Sequence, residues 1–276
     1  MKVAFTKMHG LGNDFMMVDL ITQDVSFNTE QIKSLADRNK GIGFDQLLTV
    51  EAPKDPDSDF HFRIFNADGS EVGQCGNGMR CLTRFIRDQQ LTWKNKIIGT
   101  TITGKVRMQF ENSGLVTVQM GAPIFEPTQI PLNRDNKEDL YSFDTGLGQF
   151  QLSSLSMGNP HALIFVDDVD TAPVEELGPM IGQHPDFPEQ TNVGFIQVID
   201  RKRIKIRVFE RGSGETLACG SGACAAMVAT RQADLCDDNI RVDLPGGHLF
   251  IRWGGNTKSV SMTGPSTIVY RGQINL

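Results

Sequence analysis

Residues 62–80 read FRIFNADGSEVGQCGNGMR, and residues 206–224 read IRVFERGSGETLACGSGAC. The second segment follows the first at an offset of 144 residues, which aligns Cys219 with Cys75 and Arg207 with Arg63. The glycines on both sides of the polar residue after each cysteine also coincide. This agreement indicates an internal repeat of domain size.

Two further pairs of segments support the repeat, and they occur in the same order in both halves. They are GNDFMMVD (12–19) with GNPHALIFVD (158–167), and GFDQLLTV (43–50) with GFIQVID (194–200). Prolines cluster between the halves, in residues 121–133. We therefore infer two homologous halves that join in this proline-rich stretch, one with Cys75 and one with Cys219.

Within each half the patterning is mixed. Alternating or continuous apolar runs predict strands at FHFRIFN (60–66), LVTVQM (115–120), HALIFV (161–166), RIKIRVFE (203–210) and NIRVDL (239–244). The only basic run, RKRIKIR (201–207), alternates charge with isoleucine. It is therefore interpreted as a strand with one solvated face rather than as an electrostatic binding patch.

Three helices are predicted. The first covers residues 28–41, with Asn28 as N-cap, Gln31 in the capping-box position and Gly41 at its end. The others, 79–90 and 223–235, each follow a Cys-Gly-x-Gly segment, and the second is apolar on nearly all sides, as a buried helix is. The predicted fold class is α/β (α+β), with two pseudo-symmetric lobes, each a curled, mostly antiparallel sheet around a central helix.

Composition limits the classes of function. The chain has 276 residues, is 39% hydrophobic and carries a net charge of −6, which argues against nucleic acid and polybasic membrane partners. No signal-like or membrane-spanning apolar run occurs, since the longest, ALIFV at 162–166, is far too short. Five cysteines, an odd and sparse set, favour a reducing compartment over a disulfide scaffold. We expect a cytoplasmic protein.

The paired Cys-Gly-x-Gly segments have four interpretations. A zinc site is disfavoured because the cysteines lack the usual ligand spacing and the five histidines form no metal-binding pattern. A phosphate loop is disfavoured because neither segment matches a nucleotide fingerprint, although a glycine-rich turn at a helix N-terminus suits an anion such as a carboxylate. A disulfide between Cys75 and Cys219 would define a thiol redox sensor.

The fourth interpretation uses the two thiols as a pair. Each cysteine precedes a predicted helix, whose N-terminal dipole is expected to lower the pKa of the thiol. If Cys75 and Cys219 face one another across a cleft between the lobes, a thiolate removes a proton from carbon and a thiol returns one on the opposite face. The N–H groups of the residues after each cysteine would stabilise the developing carboxylate charge. Such a pair inverts a stereocentre.

The sequence resembles the diaminopimelate epimerase family. The resemblance rests on GLGNDF, GFDQ, FNADGSEVGQCGNGMRC, GNPH, TNVGF and ERGSGETLACGSGACA, which together span nearly the whole chain without a departure at the motif positions. Proline racemases and phenazine-biosynthesis isomerases share the two-lobed fold but not this combination. The resemblance implies an isomerase that interconverts LL- and meso-diaminopimelate without pyridoxal phosphate or metal, for lysine and peptidoglycan precursors. It also implies a homodimer.

The resemblance also assigns residues. It implies Cys75 and Cys219 as the two bases, with His161 and Glu210 adjusting their ionisation. It implies a substrate-binding set made of Asn13, Gln46, Asn66, Gly76, Asn77, Asn159, Asn192, Glu210, Arg211, Gly220 and Ser221. The family's C-terminal tail returns to the first lobe, so the expected domains are 1–120 plus 265–276, and 121–264.

Structural explanations compete with several of these assignments. The asparagines also suit turns and caps. Packing beneath the site, without contact to a substrate, is an alternative role for Gln46. His161 lies on an apolar strand, where a histidine is ordinarily part of the core. Cys81, Cys224 and Cys236 are expected to be buried small hydrophobes. A racemase of another amino acid remains an alternative within the enzymes, and the redox sensor remains one outside them.

Overall fold

The computed structural model of the protein describes residues 2–276 and has a strand-rich α+β fold, as predicted. The chain divides into two compact units. The first unit extends to Gln119 and includes Thr263–Leu276, and the second unit is Met120–Met262.

The strands are short and numerous. Within residues 2–276 they are β1 Lys2–Gly10, β2 Asn13–Asp19, β3 Gln46–Glu51, β4 Phe60–Asn66, β5 Glu71–Val72, β6 Lys96–Thr101, β7 Gly104–Phe110, β8 Val116–Gln119, β9 Tyr141–Asp144, β10 Gln149–Ser156, β11 Pro160–Phe165, β12 Asn192–Asp200, β13 Arg203–Glu210, β14 Gly214–Thr216, β15 Asn239–Leu244, β16 Gly247–Arg252, β17 Ser261–Gly264 and β18 Thr267–Asn275. The helices are α1 Thr29–Ala36, α2 Gly76–Asp88, α3 Val174–Gly182 and α4 Gly220–Gln232, with a 3-10 turn at Pro127–Gln129. The five strands predicted from apolar patterning are confirmed to within about one residue at each end.

The sheet of the first unit is mixed. Its strands pair in the order β18, β1, β2, β3, β4, β6, β7 and β8, and β5 also pairs with β4. Only β2–β3 and β4–β6 are parallel. The C-terminal strand β18 runs antiparallel to β1 from Lys2↔Asn275 to His9↔Thr267.

The second unit repeats this pairing scheme. From β10 to β16 the pairs are antiparallel, parallel, antiparallel, antiparallel, parallel and antiparallel. From β1 to β7 the first unit has the same series. The sequence repeat is therefore a repeat of topology, with α2 and α4 at the same place in each series.

The two helices that follow the cysteines are the centres of their units. α2 packs on β1, β2, β3, β7 and β8, and α4 packs on strands β10 to β13, β15 and β16. In α4 every residue from Gly222 to Thr230 is buried, as the absence of a polar face predicts. Arg80 of α2 is also fully buried, and its Nε donates to the carbonyl of Pro265 at 3.2 Å.

The first predicted helix is confirmed at its start but wrong at its end. Asn28 caps α1, and the Asn28–Gln31 capping box is formed in both directions. The helix stops at Ala36 rather than near Gly41, because the Asp37 carboxylate accepts from the N–H groups of Asn39 and Lys40 and turns the chain. Gly41 then lies so close to α1 that a Cβ would fall 2.3 Å from a helix carbonyl oxygen.

Several side chains take the places expected of core residues. Met16, Cys81, Cys224 and Cys236 are each fully buried. In the basic segment, Ile204 and Ile206 are buried while Arg203 and Lys205 are partly exposed and form ion pairs, which confirms the one-sided strand. Within residues 2–276, no helix is long and apolar enough to cross a membrane.

Candidate active site

Cys75 is the N-cap of α2. Its backbone is extended (φ −149°, ψ 102°), and its Sγ accepts a hydrogen bond from the N–H of Gly78 at 3.3 Å. A Cβ at Gly78 would fall 2.7 Å from Leu48 and 3.3 Å from that sulfur, so only glycine lets the first turn close around the thiol. The half-buried thiol therefore lies at the positive end of a 13-residue helix.

Cys219 holds the equivalent position at the start of α4. Its backbone is also extended (φ −106°, ψ 107°), its side chain is 4% exposed, and its Sγ lies 3.6 Å from Ser221 Oγ. A Cβ at Gly222 would be 3.2 Å from the sulfur, so glycine has the same purpose in both helices. The prediction that each Cys-Gly-x-Gly segment lies at the N-terminus of a helix is confirmed. The predicted bounds 79–90 and 223–235 are late, because α2 and α4 already begin at Gly76 and Gly220, directly after the cysteine N-caps.

The prediction of a lowered thiol pKa is wrong for Cys219. Burial, and then the charge and hydrogen bond of Glu210, raise the pKa of this thiol well above its usual value. Hydrogen bonds from Ser221 and from the Gly222 N–H lower it by less. In the protein without substrate Cys219 is therefore a protonated thiol.

Asn13 connects Cys75 to a network of charged groups. Asn13 Oδ1 lies 3.7 Å from Cys75 Sγ and 3.4 Å from Asn77 Nδ2, and Asn13 Nδ2 donates to Asp45 Oδ2 at 2.8 Å. Because a carboxylate only accepts hydrogen bonds, Asp45 fixes the amide with its oxygen toward the thiol and the helix N-terminus.

Sequence reasoning assigned no role to the members of that network. Arg38 bonds both Asp14 and Asp45, and Lys7 bonds Asp14 and the carbonyl of Gly43. Asp14 and Asp45 stand in the GNDF and GFDQ segments, directly beside Asn13 and Gln46. Their position next to these two assigned amides was the sequence feature that could have indicated a role for them.

Gln46 and Asn66 form a second polar pair in the first unit. They face each other across β3 and β4, and Gln46 Nε2 donates to Asn66 Oδ1 at 2.9 Å. Asn66 Nδ2 donates onward to Ser70 Oγ at 3.1 Å. Among residues 2–276 the buried Oε1 of Gln46 has no hydrogen-bond partner, so an acceptor is left for a further donor.

In the second unit, the side chains of Asn159, His161 and Asn192 lie together at the start of β11 and β12. His161 Nε2 is 3.1 Å from Asn159 Oδ1, and Asn192 Nδ2 donates to the carbonyl of Pro160 at 3.1 Å. Asn192 Oδ1 accepts the backbone N–H of Arg211 at 2.9 Å. These bonds attach the exposed Arg211 to the same cluster.

His161 is fully buried, as a core histidine would be. Burial, followed by the charge of Arg211, lowers the pKa of its imidazole to about 3. Its Nδ1 is buried and has no hydrogen-bond partner among residues 2–276. The ring is therefore neutral near pH 7 and serves as a polar, uncharged neighbour of Asn159.

Glu210 ends β13 and is held by Thr216, whose hydroxyl donates to Glu210 Oε1 at 2.5 Å. The carboxylate acts on the Cys219 thiol through the charge and hydrogen bond already described. Thr216 is a further residue that sequence reasoning missed, and its place in the repeated segment was the only available signal.

The assigned residues of each unit fall into small bonded groups. In the first unit Asn13 lies with Cys75 and Asn77, and Gln46 with Asn66. In the second unit Asn159 lies with His161, Asn192 with the backbone of Arg211, and Glu210 and Ser221 with Cys219. We call the two sets of assigned residues the Cys75 cluster and the Cys219 cluster. The Cys75 cluster contains Asn13, Gln46, Asn66, Cys75, Gly76 and Asn77, and the Cys219 cluster contains Asn159, His161, Asn192, Glu210, Arg211, Cys219, Gly220 and Ser221. Each combines a thiol, a helix N-terminus suited to a carboxylate and amide groups that donate and accept. Within residues 2–276 no group of three or more His, Cys, Asp or Glu side chains is arranged to hold a metal ion.

Solved structures share this fold over nearly their full lengths. A phenazine biosynthesis protein of the PhzF family from Bacillus anthracis is similar with a TM-score of 0.71 at 16% identity, covering 100% of both chains. A hydroxyproline epimerase from Agrobacterium vitis is similar with a TM-score of 0.70 at 15% identity, covering 99% of this chain and 92% of that one. A probable proline racemase from Agrobacterium radiobacter has a TM-score of 0.70 at 17% identity, covering 99% and 93%.

The sequence assigns the chain to a narrower group of proteins than the fold does. The family model described as diaminopimelate epimerase matches residues 5–126 and 153–269, which include both clusters. The chain belongs to this family, as the sequence motifs indicated. Epimerase or isomerase chemistry is the class of reaction that this membership supports.

Proposed function

We propose that the protein interconverts LL- and meso-diaminopimelate without a cofactor, with Cys75 and Cys219 as the two bases. The observation that carries the proposal is the equivalence of the two cysteines: each is the N-cap of the central helix at the same point of a repeated topology. One protonated and one ionised thiol are what inversion at carbon requires, because one proton leaves as another arrives.

The reaction balances with these groups alone. A thiolate takes the α-proton and becomes a thiol, and the electron pair left on carbon delocalises into the α-carboxylate. The N–H groups of Gly76, Asn77, Gly220 and Ser221 stabilise that charge. The other thiol gives its proton to the opposite face of the carbon and becomes a thiolate. Since Cys219 is protonated without substrate, it suits the acid role in the first turnover.

The polar side chains supply recognition of the distal amino-acid end. That end carries an ammonium and a carboxylate, and Arg211 offers a guanidinium fork for the carboxylate. The amides of Asn66, Asn159 and Asn192 offer both donors and acceptors. Reading the configuration of the distal centre lets the enzyme invert only one of two chemically alike carbons. The neutral ring of His161 leaves this surface without a further positive charge.

Proton exchange at the α-carbon tests the proposal. With LL-diaminopimelate in heavy water, the wild type should form meso product that carries deuterium at the inverted carbon, and Cys75→Ala and Cys219→Ala should each lose at least ~10³-fold in rate. Cys81→Ala and Cys224→Ala are matched controls, because these thiols lie further along the same helices and are fully buried. They should keep nearly full activity. Turnover by either Cys75→Ala or Cys219→Ala at a rate within about tenfold of the wild type would reject the two-base scheme.

A substrate panel separates the remaining alternatives. Proline, hydroxyproline and simple α-amino acids lack the distal amino-acid end, so we expect no turnover of them. Turnover of one of these and not of diaminopimelate would make the protein a racemase of another amino acid. Absence of any turnover, with a reversible Cys75–Cys219 disulfide, would instead support a redox sensor. We also propose a homodimer, which the molar mass from light scattering tests directly.

A further inference from the structure

An open cavity of about 500 Å³ lies in the first unit, and none of its lining residues belongs to the Cys75 cluster. It is formed by the segment after β2 together with β3, the turn that follows β3, and β4. Thr49, Glu51 and Arg63 line it with polar groups, and Phe27 and Phe65 line it with aromatic rings. The residues of β3 and β4 that line this cavity can be compared with their equivalents on β12 and β13, because the second unit repeats these strands.

Arg63 and Arg207 are equivalent residues with different surroundings. Each guanidinium makes two hydrogen bonds to a carboxylate, Glu71 or Glu215. Arg207 Nη1 also donates to main-chain carbonyls of the segment 169–172, at 3.1 Å for Val169 and 3.3 Å for Ala172. Arg63 instead lines the cavity, and its side chain is 39% exposed compared with 23% for Arg207.

The second pair of equivalent residues is Gln197 and Glu51, of which Gln197 also bonds the segment before α3. Gln197 of β12 accepts the N–H of Val169 at 3.4 Å and donates to the carbonyl of Asp167 at 2.9 Å. With Arg63 aligned on Arg207, the strand pairings make Glu51 of β3 the counterpart of Gln197, an offset of 146 residues. The sequence match of GFDQLLTV with GFIQVID, at an offset of 151, is therefore out of register. Glu51 lines the cavity and forms an ion pair with Lys54 at 3.1 Å. A carboxylate in this position accepts N–H groups but cannot donate.

The third pair of equivalent residues, Thr49 and Phe195, explains why the first unit has a cavity at this position. Thr49 pairs with Arg63 across β3 and β4, and Phe195 pairs with Arg207 across β12 and β13. Phe195 fills the core of the second unit. Thr49 is smaller, is 1% exposed and lines the cavity, and its Oγ1 has no hydrogen-bond partner among residues 2–276.

The chain segment that could fill the space runs elsewhere in the first unit. Gln23, in the turn after β2, donates to the carbonyl of Ala4 and accepts its N–H, at 3.1 and 2.7 Å. This attaches the turn to β1. Phe27 lies further along the same segment, and its side chain lines the cavity instead of filling it.

We propose that this cavity binds a short peptide or peptide-like amide with a small apolar side chain, held as the second unit holds its own residues 169–172. Arg63 would receive a carbonyl oxygen, Glu51 an N–H and Thr49 a further polar group. The apolar side chain would pack on Phe27 and Phe65, as Val169 packs in the core of the second unit. This site does not depend on the proposed epimerase reaction.

The chain itself provides the probe, which is acetyl-Val-Asp-Thr-Ala-amide with the sequence of residues 169–172. A free peptide pays an association cost that a tethered segment does not, so we expect a Kd on the order of millimolar. Titration into isotope-labelled protein should shift the amide resonances of residues 20–27 and 49–54 in a saturable way. Diaminopimelate should not compete.

Two variants at one position complete the test. Thr49→Phe copies the second unit and fills the cavity, so it should weaken peptide binding at least ~10-fold and leave any catalytic rate unchanged. Thr49→Val keeps the cavity and removes only the hydroxyl, so binding should weaken by about fivefold or less. The proposal is overturned if the wild type shows no saturable shifts in these segments, or if Thr49→Phe binds the peptide as the wild type does.

Discussion

Asp14 anchors the charged network behind Asn13, and its replacement has a calculable effect on stability. The carboxylate accepts from Lys7 Nζ at 2.6 Å and from two nitrogens of Arg38 at 2.9 and 3.0 Å, and its side chain is 17% exposed. Burial alone would raise the pKa of Asp14, but the hydrogen bonds and charges of Arg38 and Lys7 outweigh it and lower the pKa from 3.8 to about 2.

The shift converts into a stability difference through proton linkage. Nearly two pKa units correspond to roughly 2 kcal/mol of free energy of unfolding, and with a lowered folded-state pKa this stabilisation is complete above the unfolded-state value. It falls as the pH approaches the folded-state pKa, and about half remains near pH 3. Asp14→Asn should therefore destabilise the protein by about 2 kcal/mol near pH 7 and by about 1 kcal/mol near pH 3.

Urea denaturation of wild type and Asp14→Asn at the two pH values measures this difference. Because Lys7 and Arg38 lose their partner at any pH, a Lys7→Met, Asp14→Asn double variant checks that the cost belongs to the pair rather than to an unpaired ammonium. An Asp14→Asn cost below about 0.5 kcal/mol near neutral pH, or one that does not shrink on acidification, would refute the reasoning.

Three further outcomes follow from the site and the packing. Burial and Arg211 hold the pKa of His161 at about 3, so its imidazole resonances should not titrate between about pH 5 and 8, and protein stability should decline as acid begins to protonate unfolded histidine. Glu210→Gln should lower the pKa of the Cys219 thiol and speed its alkylation near pH 8, measured by peptide mass spectrometry, while lowering catalysis. Gly99→Ala should cost about 1–3 kcal/mol in denaturation, because its Cβ would fall 1.9 Å from the ring of buried Phe62.

The repeat in the sequence predicted most of the fold that positions the site. Because Cys75 and Cys219 occupy the same point of two similar segments, each could be placed before a central helix, and the structure has both as N-caps. Apolar alternation located the strands because side chains on a half-buried sheet obey a period of two. The end of α1 could not be predicted, since Asp37 and Gly41 compete for the stop signal and the Asp37 turn acts first.

The electrostatics of the site were less accessible from the sequence. The dipole of α4 is a local property and could be anticipated, but the burial of Cys219 and its proximity to Glu210 are tertiary, and they reverse the direction of the pKa shift. The roles of Asp45 and Arg38 also depend on tertiary contacts, because both lie between α1 and β3 and bond Asp14 of β2. The cavity beside Thr49 also depends on a tertiary property, the course of residues 20–27 beside β3 and β4.

The central claim is that two thiols invert one carbon, and the isotope content of product during the first turnovers tests it most directly. In heavy water the account predicts that meso-diaminopimelate formed from the LL isomer carries one solvent deuterium at the inverted carbon, while recovered substrate stays nearly unlabelled. It also predicts that Cys75→Ala and Cys219→Ala each abolish this labelled product. Product that retains the substrate's own proton, or that forms without one of the two thiols, would contradict the account.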